Sequence, residues 1–104
     1  MKLLSKPEEL ILLAILRLKE QAYSVPIRDQ IIQVTGKSWS FGSIYIPLSR
    51  LETKGLIASS LGKSSQERGG RPKRFYRLTK KGLAELRASR KIGQDMWEGI
   101  PEII

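Results

Sequence analysis

The 104-residue sequence contains no cysteine and no histidine. Without cysteine there is no disulfide, zinc finger, thiol nucleophile or iron–sulfur cluster. Without histidine, Ser-His-Asp catalysis, facial-triad iron and imidazole acid–base chemistry are excluded. Neither absence assigns a redox compartment. Carboxylates are scarce as well: Asp29, Asp95 and eight Glu are all that remain for acid chemistry or hard metal ions. Long apolar runs are missing too. The longest, Leu10 to Leu16, falls far short of the ~20 residues a membrane span needs. After Met1-Lys2-Leu3-Leu4 come Ser5, Lys6, Pro7 and two Glu, so no signal peptide is expected. The expectation is a cytoplasmic protein of one modest core, with no catalytic residue, no metal ligand, no cofactor and no contact with a membrane.

What the chain does have is positive charge. Nineteen Lys and Arg face ten acids, a net +9 with 28% of residues charged. Such a balance suits a polyanionic partner, although a merely soluble basic surface is the plain alternative. The distribution separates the two. Residues 1–62 carry eight basic and five acidic side chains, and residues 63–91 carry eleven and two. Residues 92–104 carry three acids and no base. One 29-residue stretch therefore contributes as much as the whole excess, which a diffuse solvated face would not do.

Local patterns place that stretch. Ser5-Lys6-Pro7-Glu8 reads as a capping box with Pro in the first turn, leading a helix over Glu9 to Lys19. That helix is apolar nearly all round, so one side is expected to meet something besides its own core. A second helix, about 25–35, follows Ser24-Val25-Pro26, with Ile27, Ile31 and Val34 spaced i, i+4, i+7 and Gly36 as its stop. A third starts at Ser38 or Ser40 and ends at Gly55. Its Ile44, Leu48 and Leu51 fall within about 60° of one another and face the core. Pro47 predicts a kink or a late start there. Leu56–Leu61 and Lys73–Leu78 read as strands around a Gly-rich polar loop. Thr79 caps a final helix, roughly 80–98, weakened by Gly93.

Three helices, a hairpin with a cationic tip and a last helix describe a mostly helical α+β chain, a winged helix-turn-helix. The major groove of DNA admits one helix whose outer side chains reach base edges, and the wing grips phosphate or the minor groove. The outer face of the third helix holds Ser43, Ile46, Arg50 and Thr53, flanked by Tyr45 and Ser49. Lys37, Ser38 and Ser40 lie on its approach. Lys63, Arg68, Arg71, Lys73 and Arg74 fall on the hairpin. Apart from Thr53, these are the candidate DNA-binding residues. For Arg50 the bland alternative is a surface ion pair with Glu52 or another acid. Gly70-Arg71-Pro72 is similar to the core of AT-hooks, placing Arg71 as a candidate for the minor groove, with a plain turn as the alternative.

The chain resembles the PadR family of transcriptional regulators over about residues 7–98. The resemblance rests on Phe41-Gly42-Ser43-Ile44-Tyr45, Leu48-Ser49-Arg50-Leu51-Glu52 and Lys54-Gly55-Leu56-Ile57. It continues in Glu67-Arg68-Gly69-Gly70-Arg71-Pro72-Lys73-Arg74, Tyr76-Arg77-Leu78-Thr79 and Lys81-Gly82-Leu83. Two positions depart from the pattern: Ser24 stands where many members carry Gly, and Pro47 lies one place after their usual Pro. The resemblance implies a homodimeric repressor joined through its first and last helices and, in some members, released by a small-molecule inducer. Leu10, Leu13, Leu83, Leu86, Met96 and Trp97 are then the candidate dimer interface. Trp97 is also the candidate ligand-binding residue, with simple interface packing as the alternative.

The expected organisation is a winged-helix DNA-binding part, residues 1–79, and a dimerisation helix and tail, residues 80–104, in one compact unit. Double-stranded DNA and a second copy of the chain are the expected partners. A dimer would set two recognition helices about 34 Å apart on a palindromic operator. An RNA-binding winged helix and a non-catalytic adaptor are the competing readings, the first weakened by the few aromatics available for stacking.

Overall fold

Ser5 opens the first helix, α1 (Lys6–Leu18), through the expected capping box. The Glu8 N–H donates to the Ser5 hydroxyl at 3.2 Å, and the Ser5 N–H donates to the Glu8 carboxylate at 2.8 Å. Pro7 sits where a missing N–H leaves nothing unpaired. The capping turn is itself helical, so α1 begins at Lys6 rather than Glu9. The fold comes from a computed structural model, which describes residues 3–62 and 72–102.

A single 3-10 turn, Lys19–Gln21, leads into α2 (Ser24–Thr35). Ile27 and Ile31 are buried there, but Val34, the third apolar residue of the expected series, is 60% exposed. The last turn of α2 runs past the edge of the core. Gly36 ends it at a φ of 71°, where glycine avoids the crowding a Cβ would bring, and its N–H donates to the Ile32 carbonyl at 2.8 Å.

The third helix, α3 (Phe41–Thr53), starts at Ser40, whose hydroxyl accepts from the Ser43 N–H at 3.1 Å. Ile44, Leu48 and Leu51 are fully buried, as their spacing predicts. The late start expected from Pro47 is not found: α3 is helical from Phe41 and continuous through the proline. Pro47 withdraws the donor that would reach the Ser43 carbonyl, a loss costing up to about 3 kcal/mol inside a helix. Ser43 is on an exposed turn, where water can satisfy that carbonyl. At the other end, Gly55 (φ 77°) closes a Schellman motif. Its N–H donates to Glu52, the Leu56 N–H donates to Leu51, and both leucine side chains are buried.

Strands β1 (Ile57–Leu61) and β2 (Arg74–Leu78) pair antiparallel, with Ile57 opposite Leu78, Ser59 opposite Tyr76 and Leu61 opposite Arg74. One face of this hairpin lays Ile57 and Tyr76 into the core. The Tyr76 N–H also donates to the Ala22 carbonyl at 2.8 Å, which stitches β2 to the corner between α1 and α2. Thr79 then caps α4 (Lys80–Trp97), which passes through Gly93 unbroken. Gly82 brings the first turn of α4 so close to the residue before β1 that an added Cβ would stand 1.9 Å from the Leu56 carbonyl oxygen. The core joins α1, α2, α3, both strands and Leu86 of α4 in one cluster. This is the winged helix-turn-helix that the sequence predicts. No helix among the described residues is long and apolar enough to cross a membrane.

Candidate nucleic-acid interface

Burying Ile44, Leu48 and Leu51 decides what α3 shows to solvent. At about 100° per residue, the direction opposite that buried stripe is occupied by Gly42, Ile46, Ser49 and Thr53, with Ser43 and Arg50 alongside. All six are exposed, Ile46 at 63%. Arg50 forms no ion pair among the described residues. Glu52, its expected alternative partner, instead accepts from the Ser59 hydroxyl at 2.6 Å. Thr53 is partly committed, donating to the Ser49 carbonyl at 3.0 Å, and the Ser40 and Ser43 hydroxyls pair at 2.9 Å. The face is an apolar knob and a guanidinium among small hydroxyls.

Several contacts between elements hold that face in place. Arg28 of α2 donates from Nε to the Trp39 carbonyl, and its guanidinium lies 4.7 Å from the centre of the Phe41 ring. It thereby fixes the connection between α2 and α3 and the first residue of α3. The Ser24 and Tyr45 hydroxyls pair at 3.2 Å across the same two helices. At the far end, Lys54 donates to the Glu8 carboxylate at 2.7 Å, with the Glu8 side chain only 8% exposed. Burial pushes the Glu8 carboxyl up, but Lys54 and the Ser5 hydrogen bonds more than offset it and hold the pKa below its ordinary value. Periodicity in the sequence reveals none of these pairs, because each joins residues on different elements.

On the hairpin, Lys73 and Arg74 are exposed but both are held. The Lys73 ammonium sits 4.5 Å from the centre of the Tyr23 ring, and Phe75 packs edge-on against the same ring at 5.5 Å. Arg74 donates from Nη1 to the Ser59 hydroxyl at 2.9 Å, extending a chain that ends on Glu52 of α3. Lys63, Arg68 and Arg71, and with them the AT-hook-like tripeptide, lie outside the described residues. Lys37 and Ser38 are exposed in the approach to α3, next to the Ser40 cap.

The residues expected at a dimer interface divide. Leu13, Met96 and Trp97 are exposed, at 40%, 73% and 64%. Leu10 and Leu83 are half-buried. Leu86, at 6%, belongs to the core of the protomer itself and offers no surface, because it is the residue through which α4 docks. Leu16 and Ile92, outside the candidate interface residues, add 43% and 37% exposed apolar side chains on α1 and α4. An open groove of about 620 Å³ reaches Ile92 between Leu4, Leu56, Ala84 and Ala88, with Glu8 and Lys54 in its wall. Trp97 is not part of its lining. Among the described residues, no cluster of acids is placed to hold a metal ion.

The arrangement has counterparts among known proteins. The model of the transcriptional regulator PadR-like family matches residues 12–88. A PadR-like transcription factor from Bacteroides fragilis is 28% identical and superposes with a TM-score of 0.73, over 93% of this chain and 88% of that one. A PadR family transcription regulator from Clostridium difficile R20291 is 29% identical, with a TM-score of 0.66 over 92% and 91%. A PadR-like regulator from Bacillus cereus ATCC 14579 is 26% identical, with a TM-score of 0.66 over 88% and 91%. No protein of curated function matches the chain.

Proposed function

The chain belongs to the PadR-like family of DNA-binding transcriptional regulators, and from that premise we propose that it is a homodimeric repressor reading a palindromic operator. The observation that supports this most is the outer face of α3, with Ser43, Ile46, Ser49 and Arg50 exposed. Lys73 and Arg74 are also exposed on the hairpin, Arg74 being tied to α3 through Ser59 and Glu52. In this reading α3 enters the major groove and the hairpin follows the phosphates. Residues 1–79 form the reading part. Residues 80–104 supply the arm that, with α1, meets the second copy. The exposed Leu13, Leu16, Met96 and Trp97 favour that pairing, since their side chains gain from leaving water. A small-molecule inducer would act at the junction of the two copies, where Trp97 is the residue to watch.

Selection of bound duplexes from a random DNA library, with affinity then measured across salt concentrations, tests the proposal. A repressor of this kind yields a two-fold symmetric sequence, and log K falls steeply and linearly with log salt. Arg50→Ala should relax preference at defined base pairs, whereas Lys73→Ala should weaken all sequences alike and lower the salt slope by about one. Recovery of no preferred duplex, or tighter binding to structured RNA than to DNA, would count against it.

A further inference from the structure

One side chain on the outer face of α3 has the wrong chemistry for solvent. Ile46 is 63% exposed and points directly away from the buried stripe of Ile44, Leu48 and Leu51. Nothing in the fold requires an apolar residue there. Its flanks along the helix are the small polar side chains of Ser43 and Ser49, and the exposed Tyr45 beside it pairs its hydroxyl with Ser24, so Ile46 is the purely aliphatic knob of that face. One turn earlier on the same line stands Gly42. Its backbone is ordinary helix, and a Cβ added there would meet only the Ser40 hydroxyl, at 3.9 Å. Neither backbone conformation nor internal packing therefore calls for a glycine, although glycine costs a helix about 1 kcal/mol relative to alanine. What Gly42 does supply is a recess on the outside, immediately beside the knob.

In the major groove the one apolar group on a base edge is the C5 methyl of thymine. From the knob, the recess and the polar surroundings together we infer that Ile46 packs on a thymine methyl, and that Gly42 lets the backbone of α3 come close enough for it to do so. This rests on the DNA-reading role proposed above and makes Ile46 a specificity-determining residue within it. Arg50 lies four residues on, along the same side of α3, a rise of about 6 Å. With base pairs about 3.4 Å apart, the thymine read by Ile46 should fall within about two base pairs of the position read by Arg50.

The test exchanges single thymines of the selected duplex for deoxyuridine, which removes only the methyl group. Binding is measured with the wild-type chain, with Ile46→Ala and with Gly42→Val. Ile46 is exposed, so I46A retains the fold, and circular dichroism checks this for each variant. At one thymine per half-site the wild type should lose about fourfold in affinity, the worth of one methyl group returned to water. The I46A protein should bind the thymine and deoxyuridine duplexes equally. Gly42→Val should lose affinity and lose that discrimination with it. The inference is overturned if deoxyuridine costs both proteins the same at every position, or costs neither anything. If the wild type selects no duplex at all, the DNA-reading role falls too, an outcome distinct from sequence-specific binding without methyl sensitivity.

Discussion

Glu8 is a buried carboxylate in a protein otherwise short of acids, and its neighbours explain why it is tolerated. It accepts from the Ser5 N–H and from Lys54, so one side chain both caps α1 and anchors the end of α3. Lys54→Met would leave that charge buried with half its partners. We predict a loss of about 2–3 kcal/mol in urea unfolding at neutral pH. The sign of the acid response follows from the lowered pKa. Stabilisation is complete above the ordinary carboxylate value of 4.5 and disappears as pH falls through the lower value of the folded state. Glu8→Gln should therefore be less stable than the wild type at pH 7 and lose less on acidification. Equal acid sensitivity of the two proteins would place the titrating group elsewhere. The capping half of this arrangement is plain from Ser5-Lys6-Pro7-Glu8. The Lys54 half is not, since 46 residues separate the partners and only the fold joins them.

At the scale of elements, two glycines of α4 make opposite predictions. Gly82 has the Leu56 carbonyl oxygen 1.9 Å from where a Cβ would be, whereas Gly93 has nothing within 4 Å. Gly93→Ala should raise stability by up to about 1 kcal/mol through helix propensity alone. Gly82→Ala gains the same propensity but must push α4 off the backbone of Leu56, so a net loss of about 2 kcal/mol or more is expected in thermal unfolding. Similar effects from both substitutions would show that the close approach is not needed. Among the described residues the sequence locates the four α-helices and both strands to within a few residues, because caps, Gly stops and apolar spacing are local signals, but it does not reveal the 3-10 turn Lys19–Gln21. Of the kink or late start expected at Pro47, the late start is excluded, since α3 is helical from Phe41, and the spacing misleads at Val34, which it points toward the core but the end of α2 carries past it. Of the site, the outer face of α3 is legible, since it is simply the complement of the buried one. The supports supplied by Tyr23, Ser24, Arg28 and Trp39 are not, because no pattern within one element encodes a contact with another.

For the whole molecule, the apolar surface is concentrated on two elements, and α4 carries it beside charge, with Lys80, Lys81, Arg87, Arg90 and Lys91 on the same helix as Ile92, Met96 and Trp97. Cationic side chains gather after residue 62, and Leu13, Leu16, Ile92, Met96 and Trp97 remain exposed on α1 and α4. If those side chains join two copies, Met96→Ser with Trp97→Ser should shift the protein toward monomer in sedimentation velocity. DNA affinity should fall with it, because two linked heads bind far more tightly than one. An unchanged sedimentation profile would move the interface elsewhere. The stitch from the Tyr76 N–H to the Ala22 carbonyl bears on how such a molecule can be controlled. Together with the tie from Arg74 through Ser59 to Glu52, it welds hairpin, corner and α3 into one solid piece. A welded tool has no setting of its own. If two copies pair as proposed, their grip on DNA is then set by the distance and angle between two such tools, as with a pair of compasses whose points are hard and whose adjustment is at the joint.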